Sequence, residues 1–155
     1  MNLLSHVAKF FQCSWQEQLL LLYTLALLGI VRLIILFVPF RYIAPYLGQH
    51  MVESPYGDPG DYVFVRRVGW AIEIMSRHTP WESKCLVQAI TGKILLRHRR
   101  LDNTLYLGAA RDQNSALEAH AWLRSGRYAV TGGCGDMFTI VAKFADILSM
   151  MGEKR

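Results

Sequence analysis

The feature that most constrains the fold is a change of hydrophobic period near Leu101. Before it, apolar residues recur at helical spacing: Val65, Val68, Ile72 and Met75, then Leu86, Ile90 and Ile94. After it they alternate with polar ones. Glu118, His120 and Trp122 fall on one side of a strand, and Leu117, Ala119, Ala121 and Leu123 on the other. A helical repeat cannot bury one face of a strand, nor an alternating repeat one face of a helix. Helices therefore come first and an antiparallel sheet follows, which is the order of an α+β domain. A chain of 155 residues is long enough to bury a core of this kind without a disulfide or metal staple.

Local signals place the elements. Residues 1–47 read as helical, with Ser14 as an N-cap and Glu17 completing a capping box. Residues 48–60 read as a loop, punctuated by Gly48, Ser54-Pro55, Gly57 and Pro59-Gly60. Asp61 is an N-cap candidate for the next helix. Thr79-Pro80-Trp81-Glu82 is a second capping-box pattern, predicting a helix that runs to about Arg100. Its basic end, Arg97 to Arg100, complements the negative end of the helix dipole and reads as a solvated terminus rather than a nucleic-acid site. Thr104–Gly108 and Leu117–Leu123 read as strands. Ser125-Gly126 reads as a turn, Arg127–Thr131 as the return strand, Gly132-Gly133-Cys134-Gly135 as a loop and Phe138–Phe144 as a last strand. The domain division expected is an apolar helical region over 1–50 and a second domain over 51–155.

Composition narrows the function classes. A net charge of +5 favours an acidic partner without choosing among peptide, nucleic acid and membrane. The three cysteines, Cys13, Cys85 and Cys134, are odd in number and form no C-x-x-C pair, so a reducing cytosol fits better than a disulfide framework. The five histidines lie at no zinc-ligand spacing from the cysteines, and no metal is expected. No signal peptide is expected either. The run Leu19–Phe40 is almost continuously apolar and long enough to cross a bilayer. Arg32 near its middle costs about 2.5–3.5 kcal/mol on insertion. The expectation is a helix docked on protein rather than one spanning lipid, with membrane contact as the competing reading.

Two residues stand out chemically. Cys85 follows Lys84 near a helix start, where free backbone N–H groups favour a thiolate. That benefit is strong if the helix begins near Ser83 and fades if Thr79 is its cap. His120 sits within a strand, which would hold a general base rigidly. Asp136, Asp112 and Glu118 are candidate acids to orient the imidazole. Taken singly, each of these also fits an ordinary buried cysteine, a satisfied core histidine or a loop acid.

Three segments together carry more. Pro80-Trp81-x-x-x-Cys85-Leu86-x-x-Ala89, Leu105-Tyr106-Leu107-Gly108 and Ala119-His120-Ala121-Trp122-Leu123 follow in order. Over roughly residues 60–145 the chain resembles the transglutaminase-like cysteine peptidases of lasso-peptide biosynthesis, which remove the leader from a ribosomal precursor peptide. The resemblance implies a transglutaminase-like or papain-like core, with the catalytic cysteine on a helix packed against an antiparallel sheet and an N-terminal helical extension. It implies Cys85 as nucleophile and His120 as base, no cofactor, and Trp122 and Trp81 near the substrate. It further implies a separate leader-recognition protein, since the chain resembles the stand-alone form of the protease, and contact with the lasso cyclase. Many relatives carry an aspartate where Thr131-Gly132-Gly133 stand here. Asp136 is the acid assigned in its place; another acid or a neutral group is the alternative. An acyltransferase of the same fold and a non-catalytic peptide-binding module are the competing functions.

Overall fold

Ser14 starts the first helix as its sequence requires. Its hydroxyl accepts from Glu17 N at 3.4 Å, and Glu17 Oε2 accepts from Ser14 N at 2.9 Å. This comes from a computed structural model that describes residues 14–111 and 116–148. Cys13, Asp112 and the helical reading of residues 1–13 lie outside the described residues. Helix α1 is Trp15–Phe37. It stops because Val38 precedes Pro39 and takes an extended backbone, with φ −112° and ψ 121°. A short α2 (Phe40–Ile43) and a 3-10 turn (Ala44–Leu47) follow. Helix α3 is Tyr62–His78, capped by Asp61, whose carboxylate accepts from Phe64 N at 2.9 Å. Helix α4 is Cys85–His98.

The strands are β1 (Gln49–His50), β2 (Asn103–Arg111), β3 (Leu117–Ser125), β4 (Tyr128–Thr131) and β5 (Thr139–Asp146). They form one antiparallel sheet in the order β1-β5-β2-β3-β4. The hairpin between β3 and β4 turns through Gly126 and Arg127, with Gly126 at φ +56°. The α+β class and the helix-then-sheet order are as the period change required.

Two details differ from the sequence expectation. The fourth helix begins at Cys85, not at Thr79. The Thr79 hydroxyl donates instead to the carbonyls of Ser76 and Trp81, at 3.1 and 3.0 Å. The Trp81 ring lies against α1, where a Cβ on Gly29 would stand 3.2 Å from it. Residues 79–84 are thus a loop pinned to α1 rather than a first helical turn. Gln49–His50, read as loop, pairs with Phe144 and Ala145 at the far edge of the sheet.

The core is continuous. Leu27, Leu28, Val31 and Leu47 join Val65, Val68, Ile72, Val87, Leu96, Leu105, Leu123 and Phe144 in one apolar cluster. Helix α4 crosses β3 closely because Gly92 has no side chain: a Cβ there would stand 2.7 Å from Leu123 Cδ2. Lys93 is fully buried beside this contact. Its ammonium donates to Asn103 Oδ1 at 2.8 Å and Phe144 O at 3.2 Å, and pairs with Asp146 at 3.0 Å. Arg97 pairs with the same carboxylate at 2.9 Å. This network ties the second half of α4 to the start of β2 and the end of β5, and so sets where the start of α4 falls along the sheet.

Candidate active site

Helix α4 places Cys85 at its first residue. Lys84 is the N-cap and its side chain makes no capping bond; its ammonium pairs with exposed Glu82 at 3.1 Å. The first-turn N–H groups of an α-helix have no intrahelical acceptor, so they remain available to an incoming oxygen. Cys85 is half-buried against the core, and its thiol makes no hydrogen bond among the described residues.

Strand β3 places His120 opposite Gly108 of β2. The ring stacks on Phe138 with centroids 4.8 Å apart, and on Trp122 at 6.0 Å. Its Nε2 lies 2.8 Å from the Gly132 carbonyl oxygen. A carbonyl can only accept, so Nε2 carries the proton and donates. In the neutral ring Nδ1 is then the unprotonated, basic nitrogen. Gly132 is needed at this position: its φ is +75°, and a Cβ there would stand 2.5 Å from Ala121 O.

The helix and the histidine stand at one end of the sheet. Gly92 meets Leu123. Cys85 lies seven residues, about 10 Å, before Gly92 along α4, and His120 lies three residues, also about 10 Å, before Leu123 along β3. The strand alternation puts His120 on the sheet face away from Leu123 and α4, and among the described residues its ring meets Phe138, Trp122 and Gly132 rather than Cys85. Gln88, one turn after Cys85 on the same helix face, lines a groove of about 670 Å³ together with Thr131 and Gly132. Gly132 thus lines that groove and also accepts from His120, while neither Cys85 nor His120 is among the groove's lining residues. No hydrogen bond joins Cys85 to His120 in this structure.

Asp136 is exposed in the glycine loop and makes no hydrogen bond to His120. Glu118, two residues before His120 on β3, makes none either. Among the described residues the only hydrogen-bond acceptor on the ring is Gly132 O. Asp136 lines a second groove, of about 430 Å³, with Tyr106, Trp122, Arg124, Cys134 and Phe138. Trp122 is 5% exposed and stacks on Tyr106 at 5.2 Å with the planes 8° apart. Gly108 and Gly135 make room for its ring. Trp81 is 37% exposed and held on Gly29 of α1, not beside His120.

Arg124 escaped the sequence reading. Its buried guanidinium donates to Tyr106 OH at 3.0 Å, to Ser54 O at 2.8 Å and to Gly126 O, and lies 3.7 Å from the Tyr56 ring centroid. It fastens the 54–57 loop over Tyr106 and so backs the stack that ends in His120. The available signal was its place in the alternating strand, on the side of His120 and Trp122. Burial and Arg124 push the Tyr106 hydroxyl in opposite directions; burial wins and its pKa is raised.

A family model described as the transglutaminase-like superfamily matches residues 34–144. No match was found among curated proteins or among solved structures. The matched span runs from the second half of α1 into β5, and holds both the helix opened by Cys85 and the strand that carries His120. On that match, which covers most of the sequence, the chain belongs to the transglutaminase-like superfamily.

Proposed function

We propose that this protein is a cysteine peptidase that removes the leader from a ribosomally made precursor peptide during lasso-peptide maturation. The observation that carries the reading is the 2.8 Å bond from His120 Nε2 to Gly132 O. It fixes the tautomer that leaves Nδ1 basic, beside a groove shared with the first turn of α4. The motif pair around Cys85 and His120 supplies the substrate class.

In this reading His120 Nδ1 takes the Cys85 thiol proton as Sγ attacks the carbonyl at the leader–core junction. The Cys85 backbone N–H, free at the helix start, receives the developing oxyanion. The C–N bond breaks, and His120 returns its proton to the core-peptide amine. Water, deprotonated by His120, then attacks the thioester and releases the leader carboxylate and the thiol. The Gly132 carbonyl orients the imidazole in place of the aspartate of many relatives. Asp136, on its loop, is not required for that task. The groove beyond Gln88 holds the extended peptide, and a separate leader-binding protein delivers it.

The test is cleavage of a precursor peptide followed by mass spectrometry, with the leader-binding protein present. Cys85→Ala and His120→Ala should each lower the rate about a thousandfold or more while the fold is retained. Cys134→Ser should cleave normally. Near-normal cleavage by folded Cys85→Ala protein would overturn the assignment. A product carrying an added amine in place of water would make the protein an acyltransferase, an activity its superfamily also accommodates.

A further inference from the structure

The face of α1 that does not pack on the domain is apolar along its whole length. Leu21, Thr24, Leu27, Leu28 and Val31 are buried. On the opposite side Leu22, Ile30, Leu33 and Phe37 are each more than half exposed. Trp15 begins this face, and Tyr42 and Tyr46, which follow the helix in sequence, are exposed as well. At about 100° per residue, Arg32 stands about 120° from the centre of the stripe, just outside its edge, so no charge interrupts it.

Cations flank the stripe. Arg32 borders one edge of it, whereas Glu17, engaged in the capping box, lies on the packed side beside Arg66 and Arg67 of α3. Arg41 follows the stripe's C-terminal end, against Tyr42. An apolar face with aromatic ends and a basic rim complements an anionic lipid surface. A second copy of the helix fits less well. The bare face covers about 160° of the helix, wider than the seam of two paired helices, and its rim carries one sign of charge rather than pairs of both.

The packing opposes spanning. With its other face docked on α3 and α4, α1 could cross the bilayer only by taking Glu73 and Arg77 of α3 into hydrocarbon. We infer that α1 lies in the plane of an anionic membrane surface, its bare stripe among the acyl chains and its flanking arginines on the phosphates. The protein is thus a peripheral enzyme whose domain works at the lipid surface.

The test is flotation of the full chain with vesicles of phosphatidylcholine, with and without one third phosphatidylglycerol. No substrate is present, so the result does not depend on the peptidase assignment. The expected result is binding to the phosphatidylglycerol vesicles that weakens at high salt and is released by alkaline carbonate. A triple variant, Leu22→Gln with Leu33→Gln and Phe37→Gln, alters exposed positions only and should keep its thermal midpoint while losing about tenfold or more in vesicle affinity. Arg32→Gln with Arg41→Gln should weaken binding to the anionic vesicles alone. Three results would overturn the inference: no binding to either vesicle, undiminished binding by the triple variant, or retention after carbonate. Self-association abolished by the triple variant, with no vesicle binding by the parent, would assign the stripe to a second copy instead.

Discussion

The two faces of the sheet are held by different physics. On one, Leu105, Ala121, Leu123 and Phe144 meet α4 through aliphatic contact. On the other, Tyr106, His120, Trp122 and Phe138 stack, and Arg124 and Thr104 fasten the 54–57 loop by hydrogen bonds. Apolar contact has no preferred direction and scales with area, so the first face supplies stability. Stacking and hydrogen bonding are directional, so the second face supplies position. His120 belongs to the second face, which holds its ring at one angle and one tautomer. Damage to the first face should therefore appear in folding, and damage to the second in cleavage.

The largest effect is expected from Leu123→Ala. It opens a cavity under α4 and should cost about 2–5 kcal/mol by urea denaturation. Cleavage by the fraction that remains folded should be little changed. A loss of cleavage far beyond the loss of folded protein would erase the distinction between the faces.

Lys93 gives a pH signature on the same side. Burial, partly offset by Asp146, pulls its pKa from 10.5 down to about 8. Between those values the unfolded chain binds the extra proton, so stability from this group rises as pH climbs from about 8 towards 10.5. The gain is up to about 3 kcal/mol. The raised Tyr106 acts in the opposite sense above its ordinary value, because the folded state then keeps a proton that the unfolded chain releases. Denaturation midpoints across pH 7–10 should show the rise, and Lys93→Met should remove it. A flat profile in the parent protein would contradict this account of Lys93.

Gly108→Ala probes the aromatic face. A Cβ there would stand 2.8 Å from Phe138 Cβ and from the Trp122 ring. The overpacking should cost about 1–3 kcal/mol. It should also displace both stacking partners of His120, so cleavage should fall by more than the loss of folded protein explains. Equal losses would mean that the stack does not position the ring.

Tyr106→Phe removes one of several hydrogen bonds on Arg124 and should cost about 0.5–1.5 kcal/mol. The smallest effect is expected at Asp136→Asn. Its side chain is exposed, so stability should change by no more than about 0.5 kcal/mol. Cleavage should stay near the parent rate if Gly132 O orients His120. A large fall in rate would return the orienting role to Asp136.

Much of the fold was legible because local chemistry and tertiary packing agree. The Ser14–Glu17 capping box, the Asp61 cap, the alternation through β3 and the Gly126 turn all form as read. The start of α4 was not legible. Thr79-Pro80-Trp81-Glu82 has the composition of a cap, yet Trp81 is claimed by Gly29 of α1, far away in sequence. No sequence signal marks Lys93 as buried; that follows from Asn103 and Asp146, brought in by β2 and β5. The orienting group of His120 was equally hidden. It is a main-chain carbonyl, which every residue possesses and no motif records.

By itself the sequence determined the helix-then-sheet order, the candidate pair Cys85 and His120, and the apolar character of α1. Each of these is a matter of residue type and spacing, which short-range physics reads directly. Only the tertiary structure decided that Cys85 opens its helix, that Gly132 O takes the His120 proton donor, and which side of α1 is left bare. Each of those depends on a group far off in the chain competing for the same contact. The outcome of such a competition is set by close packing between elements, not by the preference of either segment alone.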